Sequence, residues 1–597
     1  MIPLSLCPNP RPPRVYEFIG FDTEGDGSPN GFRLAALYDD DGPHVFHDRS
    51  QIAPFLFRKR NRGKRIVAAN LEYDWAVAFQ PFDEHYEVVL TRSKWLAAIY
   101  RDRSGHSWIA WDIQRIAPLS VAEMGDLIGL SKFPTPPELI PDRDYAPPEW
   151  WCPTHHRLWC VECYCVRDAE IAFRFARFFQ ETLNALGGQM KPTTAGCAMD
   201  LFSRRFLDQA IAPTYPEKND LARAAYFGGR VETLKVGTAR DVSYYDFNSL
   251  YPAVYRDLAV GDPATYHQIA HPQDPARYLD KFGQFWGELQ IPRSYITPLP
   301  IRVSAKTVFV SGAIRGSWTL SEVRHALEHG AAIRSCDRIV YAERVLHPFR
   351  QFVDTLYPLR MKLKAAGRPD EYVIKLMLNG LYGKFGQRTD EGLQSLVVPR
   401  GDYDLEEFAD CEPVALAGRE CFLRDKRGTV QSPHIHVLWA AEIAAQARMK
   451  LYDTLSEIED ECFYADTDSI HTTAQIETST KLGGLKLAET FARVTYFAPK
   501  EYCYVAADGS ENFRVKGIPR RLAEEYLRSG LTHLRQPLHT LTAINTNRRI
   551  ATWREITKTH LLSPPTRWHR PMTDYNRHFI DTRPYSLSEA LDALSEA

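Results

Sequence analysis

The chain has 597 residues, too many for one core, so it divides into several domains. Hydrophobic residues make up 44% and charged residues 25%, an ordinary globular balance, and no apolar run reaches the ~18 residues that a membrane-spanning helix needs. The formal net charge of -2 neither selects nor excludes a nucleic-acid partner, because acids can gather at metal sites while bases line a channel.

In chain order, the N-terminus crowds Pro8, Pro10, Pro12 and Pro13 and lacks the apolar core of a signal peptide. Val15 to Phe21 reads as a strand that delivers Asp22 and Glu24 to one face, since they lie two apart on extended chain. After the bases of Arg58 to Arg65, a second apolar run, Arg65 to Ala69, leads into Asn70, Tyr73 and Asp74. Phe133 to Trp151 is crowded with proline and reads as an irregular connection. Cys152, His155, Cys160 and Cys163 have the spacing of a small zinc site. Against zinc stands the helix that follows: Leu158, Val161, Cys165, Ala169, Ala172 and Phe175 recur at helical spacing, so Cys160 and Cys163 share an element that must also present Tyr164 and Asp168. The eleven cysteines, odd in number and scattered, fit a reducing compartment better than a disulfide framework. Together Asp22, Glu24, Asp74 and Asp168 make a four-carboxylate set suited to two divalent ions about 3.5–4 Å apart.

The second half repeats the logic with other residues. Tyr226, Phe227, Gly228, Gly229 and Arg230 suit a loop whose backbone approaches a phosphate. Val242 to Asp246 reads as a strand ending in an acid, followed by a turn into a helix at Ser249 to Pro252. Arg360, Lys362 and Lys364 lead into a helical run on which Lys375, Asn379 and Tyr382 share a face, able to hold a triphosphate and stack near a base. Gly380, Gly383 and Gly386 each cost roughly 1 kcal/mol there against alanine, which calls for a close approach by another backbone or a base pair. Cys462 to His471 reads as a tight hairpin with Asp466 and Asp468 at its tip. Acids this close repel and call for a metal, and Asp246 supplies the distant third carboxylate of a two-metal phosphoryl-transfer site. Asn547 to Arg554 and Arg567 to Arg570 interleave bases with aromatics, a composition equally suited to nucleic-acid contact and to a solvated surface.

Asp22-x-Glu24, Asn70-x-x-Tyr73-Asp74 and Tyr164-x-x-x-Asp168 resemble the three exonuclease motifs of proofreading DNA polymerases. Asp246-x-x-Ser249-Leu250-Tyr251-Pro252, Lys375-x-x-x-Asn379-x-x-Tyr382-Gly383 and Tyr464-x-Asp466-Thr467-Asp468-Ser469 resemble motifs A, B and C of family B DNA polymerases, and Lys500-Glu501-Tyr502 is similar to that family's primer-strand motif. The resemblance implies an α/β and α+β multidomain chain: a ribonuclease-H-like 3′–5′ exonuclease domain, then a right-hand polymerase of palm, fingers and thumb with two insertions. The implied domains are exonuclease 1–189, first palm part 190–260, first insertion 261–357, fingers 358–394, second insertion 395–430, second palm part 431–529, and thumb with C-terminal extension 530–597. Insertions at these two points resemble the phage replicases primed by a terminal protein, in which the first contacts that protein and the second supports processivity and strand displacement.

The resemblance also implies roles. Asp22, Glu24, Asp74 and Asp168 would hold two magnesium ions, Tyr164 would orient the attacking water, Asn70 and Tyr73 would contact the frayed 3′ end, and Lys132 would add a phosphate contact. Asp246 and Asp468 would bind two further magnesium ions, with manganese able to substitute, and Asp466 would ligate less directly. Lys375, Arg360 and Asn379 would bind the triphosphate, Tyr251 would exclude a 2′-hydroxyl, and Tyr382 would pack on the nascent pair. Tyr226, Gly228, Gly229, Lys500, Tyr502 and Lys516 would touch DNA. The expected partners are template and primer DNA, dNTPs and a terminal protein, with no membrane; a monomer in the cytoplasm of a host cell is expected. Two departures stand out: Gly380 replaces the usual serine of motif B, and Gly25 replaces a hydroxyl residue after the first exonuclease motif. Extension of ordinary primers, or initiation without one, is the alternative; a reverse transcriptase would have no use for the N-terminal acids, and a non-catalytic scaffold would not need either set.

Overall fold

The computed structural model describes residues 4–25, 31–79, 85–91, 94–139, 147–303, 306–388, 394–399, 411–417, 420–425, 432–516, 523–524, 527, 533–542, 552–561, 569–572 and 579–584. The N-terminal sheet contains Phe18–Glu24 (β1), Leu34–Asp39 (β2), Gly42–Phe46 (β3), Arg65–Ala68 (β4), Tyr86–Thr91 (β5), Lys94–Arg101 (β6) and Ser107–Asp112 (β7). Most of β1 is buried on both faces, as a strand at the centre of a covered sheet must be. It runs parallel to β4 and antiparallel to β2, and β4 runs parallel to β7.

Helix Leu71–Phe79 (α1) buries Trp75 and Phe79 under this sheet. A short hairpin, Trp151–Cys152 (β8) with Arg157–Leu158 (β9), leads into the long helix Val161–Ala185 (α2), which packs across β1 and β2. The contact is close at one point. A Cβ added to Gly20 would lie 2.0 Å from the Ala169 carbonyl oxygen, so glycine lets α2 settle onto the strand and sets Asp168, one residue earlier, beside the strand's acidic end.

After helix Thr194–Arg205 (α3) the chain builds a second sheet from Val231–Thr233 (β10) and Lys235–Phe247 (β11), then turns into Leu250–Arg256 (α4). A four-stranded module follows: Tyr266–Ala270 (β12), Gly283–Ile291 (β13), Gly312–Thr319 (β14) and Ala332–Ala342 (β15), in the order β12-β15-β13-β14, with helix Leu320–Glu328 (α5) between β14 and β15. Helices Arg350–Ala365 (α6) and Asp370–Phe385 (α7) come next. Gln394–Pro399 (β16), Cys411–Ala417 (β17) and Glu420–Asp425 (β18) pair among themselves, and β16 pairs with β5, extending the N-terminal sheet to the order β17-β18-β16-β5-β6-β7-β4-β1-β2-β3.

Helix Val437–Ile458 (α8) is apolar nearly all round over its first half, which marks an element enclosed by the rest of the molecule. It delivers the chain to Cys462–Asp466 (β19), Ser469–Thr472 (β20), Leu485–Ala498 (β21), Glu501–Ala506 (β22) and Glu511–Val515 (β23). These complete the second sheet in the order β10-β19-β20-β11-β21-β22-β23. Further on, His533–Thr542 pairs with Thr552–Leu561, and Phe579–Pro584 pairs with the start of β11. The basic and aromatic side chains anticipated at Asn547 to Arg554 and Arg567 to Arg570 lie outside the residues whose side chains are described. No described helix is long and apolar enough to cross a membrane.

Candidate active sites

The first site forms where β1, α1 and α2 converge. Asp22 and Glu24 come from the end of β1, Asp74 from the first turn of α1 and Asp168 from the second turn of α2. Burial, then Asp74, Asp168 and Glu24, pushes the Asp22 carboxyl well above the usual range, and burial followed by Asp168 pushes Glu24 up to about 8. Burial raises Asp74 and Asp168 as well. Thr23 donates to Asp74 Oδ1 from its amide at 3.0 Å and its hydroxyl at 2.9 Å, fixing that carboxylate against the strand. Asp22 Oδ2, Asp74 Oδ2 and Asp168 Oδ1 remain buried with no hydrogen-bond partner among the described residues. Hard oxygens left unpaired in one coupled cluster fit divalent cations.

Lys132 donates to Asp168 Oδ2, and its ammonium lies 4.1 Å from the centre of the Tyr164 ring. Burial opposes its charge, but Asp168 and Tyr164 outweigh burial and hold Lys132 as a cation. The Tyr164 hydroxyl shares a 3.2 Å hydrogen bond with Thr135. Tyr73 joins the cluster electrically: burial, then Glu24, Asp74 and Asp22, raises its hydroxyl. Asn70 sits at φ 72°, in the left-handed region, just before α1. Asp112 lies beside that turn: it accepts the Gln114 amide at 2.9 Å, and burial raises its carboxyl while Arg115 and the Gln114, Asn70 and Leu71 amides oppose the rise. Sequence reasoning missed Asp112, because only the pairing of β4 with β7 brings it next to Asn70.

The second site lies on the β11, β19 and β20 sheet. Asp246 pairs with Ser469 across β11 and β20, and Asp466 pairs with Ser469 across the hairpin, so the register brings Asp246 to the hairpin tip. Burial, then Asp246 and Asp466, pushes Asp468 up to about 6. The two acids of the tip are not equivalent. Asp466 receives the Lys500 ammonium at 2.7 Å, the Tyr464 hydroxyl at 3.1 Å and the Thr467 hydroxyl at 3.1 Å, whereas Asp468 keeps its charge conflict with Asp246. Lys500 reaches inward from a turn residue at φ 65°, its amide donating to the Tyr464 hydroxyl at 3.1 Å. Tyr502 packs against Tyr464 at 5.4 Å, and Lys516 donates from its amide to the Lys500 carbonyl at 3.1 Å while its side chain is exposed. Lys486 lies 2.6 Å from Asp246 Oδ2 and faces it directly across β11 and β21. The sequence held no sign of Lys486, because that register depends on a bulge at Tyr244 and Tyr245.

Helix α7 presents Lys375 and Asn379 to solvent and Tyr382 half-buried, with Val373, Met377, Leu378 and Leu381 on its packed side. Tyr251 and Tyr382 stack in parallel, and Asp468 contributes to raising both hydroxyls above their ordinary value after burial. Arg360 does not point free into the site. It binds Glu371 at 3.0 Å and the Ser249 hydroxyl at 3.1 Å, tying α6 to α7 and to the start of α4.

The glycines divide. Gly380 rests in ordinary contact on Thr194 and Ala195 of α3, Gly386 leaves room only for the Tyr226 ring, and Gly383 faces open space, so close approach accounts for one of the three in full. In the upstream loop a Cβ on Gly229 would meet Thr467 at 2.7 Å, while Gly228 is open. Gly229 is thus accounted for by the hairpin tip packing on it. Arg230, anticipated as the base of this loop, is buried against Glu232 and donates to the Thr297 carbonyl at 2.8 Å. A further cation, Arg448 of α8, donates to the Phe227 and Gly228 carbonyls at 3.0 and 2.9 Å and pairs with buried Glu322 at 2.8 Å.

The spacing of Cys160 and Cys163 is compatible with the helix. Cys160 is the N-cap of α2 and accepts the Cys163 amide, so one turn ends before Tyr164 begins the next.

Residues 160–420 match the family described as DNA polymerase type B, organellar and viral. The chain is 24% identical over 363 residues to a probable DNA polymerase of Neurospora intermedia, covering 57% of this chain and 37% of that protein. It is also 24% identical over 341 residues to the DNA-directed DNA polymerase of Enterobacteria phage PRD1, covering 55% of this chain and 58% of that one. The chain thus spans less than two thirds of the length of these relatives. Phi29 DNA polymerase complexed with primer-template DNA and incoming nucleotide superposes with a TM-score of 0.70 at 13% identity, over 92% of this chain and 100% of that one. The chain therefore shares the fold of phi29 DNA polymerase, and its residues 160–420 carry the match to the organellar and viral type B polymerases.

Proposed function

We propose that the chain is a DNA-templated DNA polymerase with a 3′–5′ proofreading exonuclease. The observation that carries this reading is the presence, in one chain of this fold, of two separate carboxylate clusters in which burial and neighbouring acids push a carboxyl above its ordinary range, Asp22 in the first and Asp468 in the second. Magnesium, two ions in each site with manganese able to substitute, would stabilise charge on the attacking and leaving oxygens of an in-line displacement. At the palm, Asp246 and Asp468 are the ligands and Asp466, already satisfied by Lys500, shapes the hairpin. Lys375 and Asn379 meet the triphosphate from the exposed face of α7, and Tyr251 packs under the sugar. At the N-terminal site, Lys132 holds Asp168 and the Tyr164 ring in register, so that Tyr164 orients the water that attacks the terminal phosphodiester. Tyr226, Gly228 and Gly229 contact DNA, and Lys500, Tyr502 and Lys516 border the primer strand.

The finer reading is protein-primed, processive, strand-displacing replication of a phage or linear element in a host cell. The four-stranded β12–β15 module between the palm strand β11 and helix α7 supports it by position. Primer extension on a long circular template without helper proteins tests the main reading, and products longer than the circle are expected. No templated extension from any primer would overturn it. Initiation on a candidate terminal protein, read as covalent attachment of labelled dNMP, tests the priming mode; extension of oligonucleotides alone would favour ordinary priming.

A further inference from the structure

The hairpin that precedes α2 is too small to hold itself. It has two residues in each strand, and its large apolar side chains, Trp151 and Leu158, are 58% and 42% exposed. Strands this short have no core of their own and need a staple. The buried side chains here are sulfur. Cys152 and Cys160 are fully buried and gather with Cys163 around the imidazole of His155.

His155 Nδ1 lies 3.7 Å from Cys152 Sγ, 3.2 Å from Cys160 Sγ and 3.3 Å from Cys163 Sγ, and Cys152 Sγ lies 3.3 Å from Cys163 Sγ. A tetrahedral zinc sets sulfur to sulfur at about 3.8 Å and sulfur to nitrogen at about 3.6 Å. A disulfide would join two sulfurs and leave no reason for one ring nitrogen to sit among three.

The surroundings match as well. The far nitrogen of His155, Nε2, lies 3.2 Å from Glu162, the carboxylate partner that orients a metal-bound imidazole. The amides of His155 and Cys163 donate to Cys152 and Cys160 Sγ at 3.4 and 3.5 Å, and Arg157 donates to Cys160 Sγ at 3.2 Å, so thiolate charge has donors waiting. His156 and Trp159 take φ of 48° and 47°, strained backbone that persists only where the surroundings fix it.

We propose that Cys152, His155, Cys160 and Cys163 bind one structural zinc ion, the three thiols releasing their protons to solvent as it enters. The ion would clamp the hairpin to the first turn of α2 and so fix where Tyr164 and Asp168 stand. This inference does not rest on the polymerase reading.

The full chain, purified after expression with zinc and passed over a chelating resin, should retain one zinc per chain by elemental analysis. Cys160→Ser with Cys163→Ser should lose it, while Asp22→Ala with Glu24→Ala should keep it, separating this site from the carboxylates. Because the serine variant can fail to fold, wild-type chain reconstituted with cobalt provides a second reading: a thiolate-to-cobalt charge-transfer band is expected at one equivalent. Substoichiometric zinc with no such band, zinc retained by the serine variant, or a Cys152–Cys163 disulfide in the chain purified without reductant would each overturn the proposal.

Discussion

Tyr251 and Tyr382 lie face to face, their ring centres 4.2 Å apart and their planes within 6° of parallel. One ring comes from the helix after β11 and the other from α7, so the contact joins the two elements that the proposed function sets against a nucleotide. Removing the Tyr251 ring opens space where a 2′-hydroxyl would sit. Tyr251→Val should raise ribonucleotide incorporation relative to deoxyribonucleotide by about tenfold or more, since one packing contact is worth about 1–3 kcal/mol. Unchanged discrimination in single-nucleotide kinetics would remove Tyr251 from this role.

Asp468→Asn should lower nucleotide addition by about a thousandfold or more and leave degradation of single-stranded DNA intact. The same residue predicts a pH response. Its carboxyl is pushed from 3.8 to about 6 in the folded chain, so the native state holds this proton more tightly than the unfolded state. In the metal-free chain the resulting stabilisation is complete below pH 3.8 and is lost as pH rises through about 6. Above that, the ionised group costs at most roughly 2–3 kcal/mol. Metal-free Asp468→Asn should therefore melt higher than wild type at pH 8, and divalent-ion binding by wild type should weaken as pH falls through 6. Equal melting temperatures at pH 8 would contradict this assignment of strain.

At the N-terminal site the expected pattern is reversed. Asp22→Ala with Glu24→Ala should abolish removal of a mismatched 3′ nucleotide and spare primer extension. It should also raise the melting temperature of the metal-free chain, because both carboxyls are held above their ordinary range by burial and by each other's neighbours. Retained mismatch removal on a gel-based assay would refute the site.

Gly20→Val tests the packing that delivers Asp168. Its Cβ would collide with the Ala169 carbonyl, and overpacking of this kind costs about 1–3 kcal/mol. Since α2 must lift from β1, exonuclease activity should fall more than tenfold while extension changes little; a parallel loss of both activities would mean global unfolding instead.

Arg448→Met should be the most destabilising of these changes, by about 3–5 kcal/mol, because it leaves Glu322 buried and unpaired. Adding Glu322→Gln should recover part of the loss in thermal unfolding, and no recovery would show that Arg448 acts through the Phe227 and Gly228 carbonyls alone.

Local pattern made much of this legible. Acids ending apolar runs foretold Asp22, Glu24 and Asp246, and the hairpin at Asp466 and Asp468 is a short-range feature that adjacent residues specify. The spacing of Lys375, Asn379 and Tyr382 also sufficed, because helix periodicity alone sets their common face. What failed to show was anything set by long-range register. Lys486 faces Asp246 only through a bulged strand pair, Asp112 meets Asn70 only through parallel strands, and Arg448 finds Glu322 across helices far apart in sequence. The packing of Gly229 was hidden for the same reason: the Thr467 side chain, which leaves no room for a Cβ there, comes from a hairpin far along the chain.

The backbone pairing of β16 with β5 carries a consequence for biosynthesis. Val89, Val88 and Glu87 find their partners in Gln394, Ser395 and Leu396, so the edge of the N-terminal sheet is closed by a segment made some three hundred residues later. At roughly 5–20 residues per second of translation that edge stays open for roughly 15–60 s. An open strand edge templates pairing with other chains. A fragment ending at residue 189 should therefore self-associate through Tyr86–Thr91, however well its clustered carboxylates are arranged.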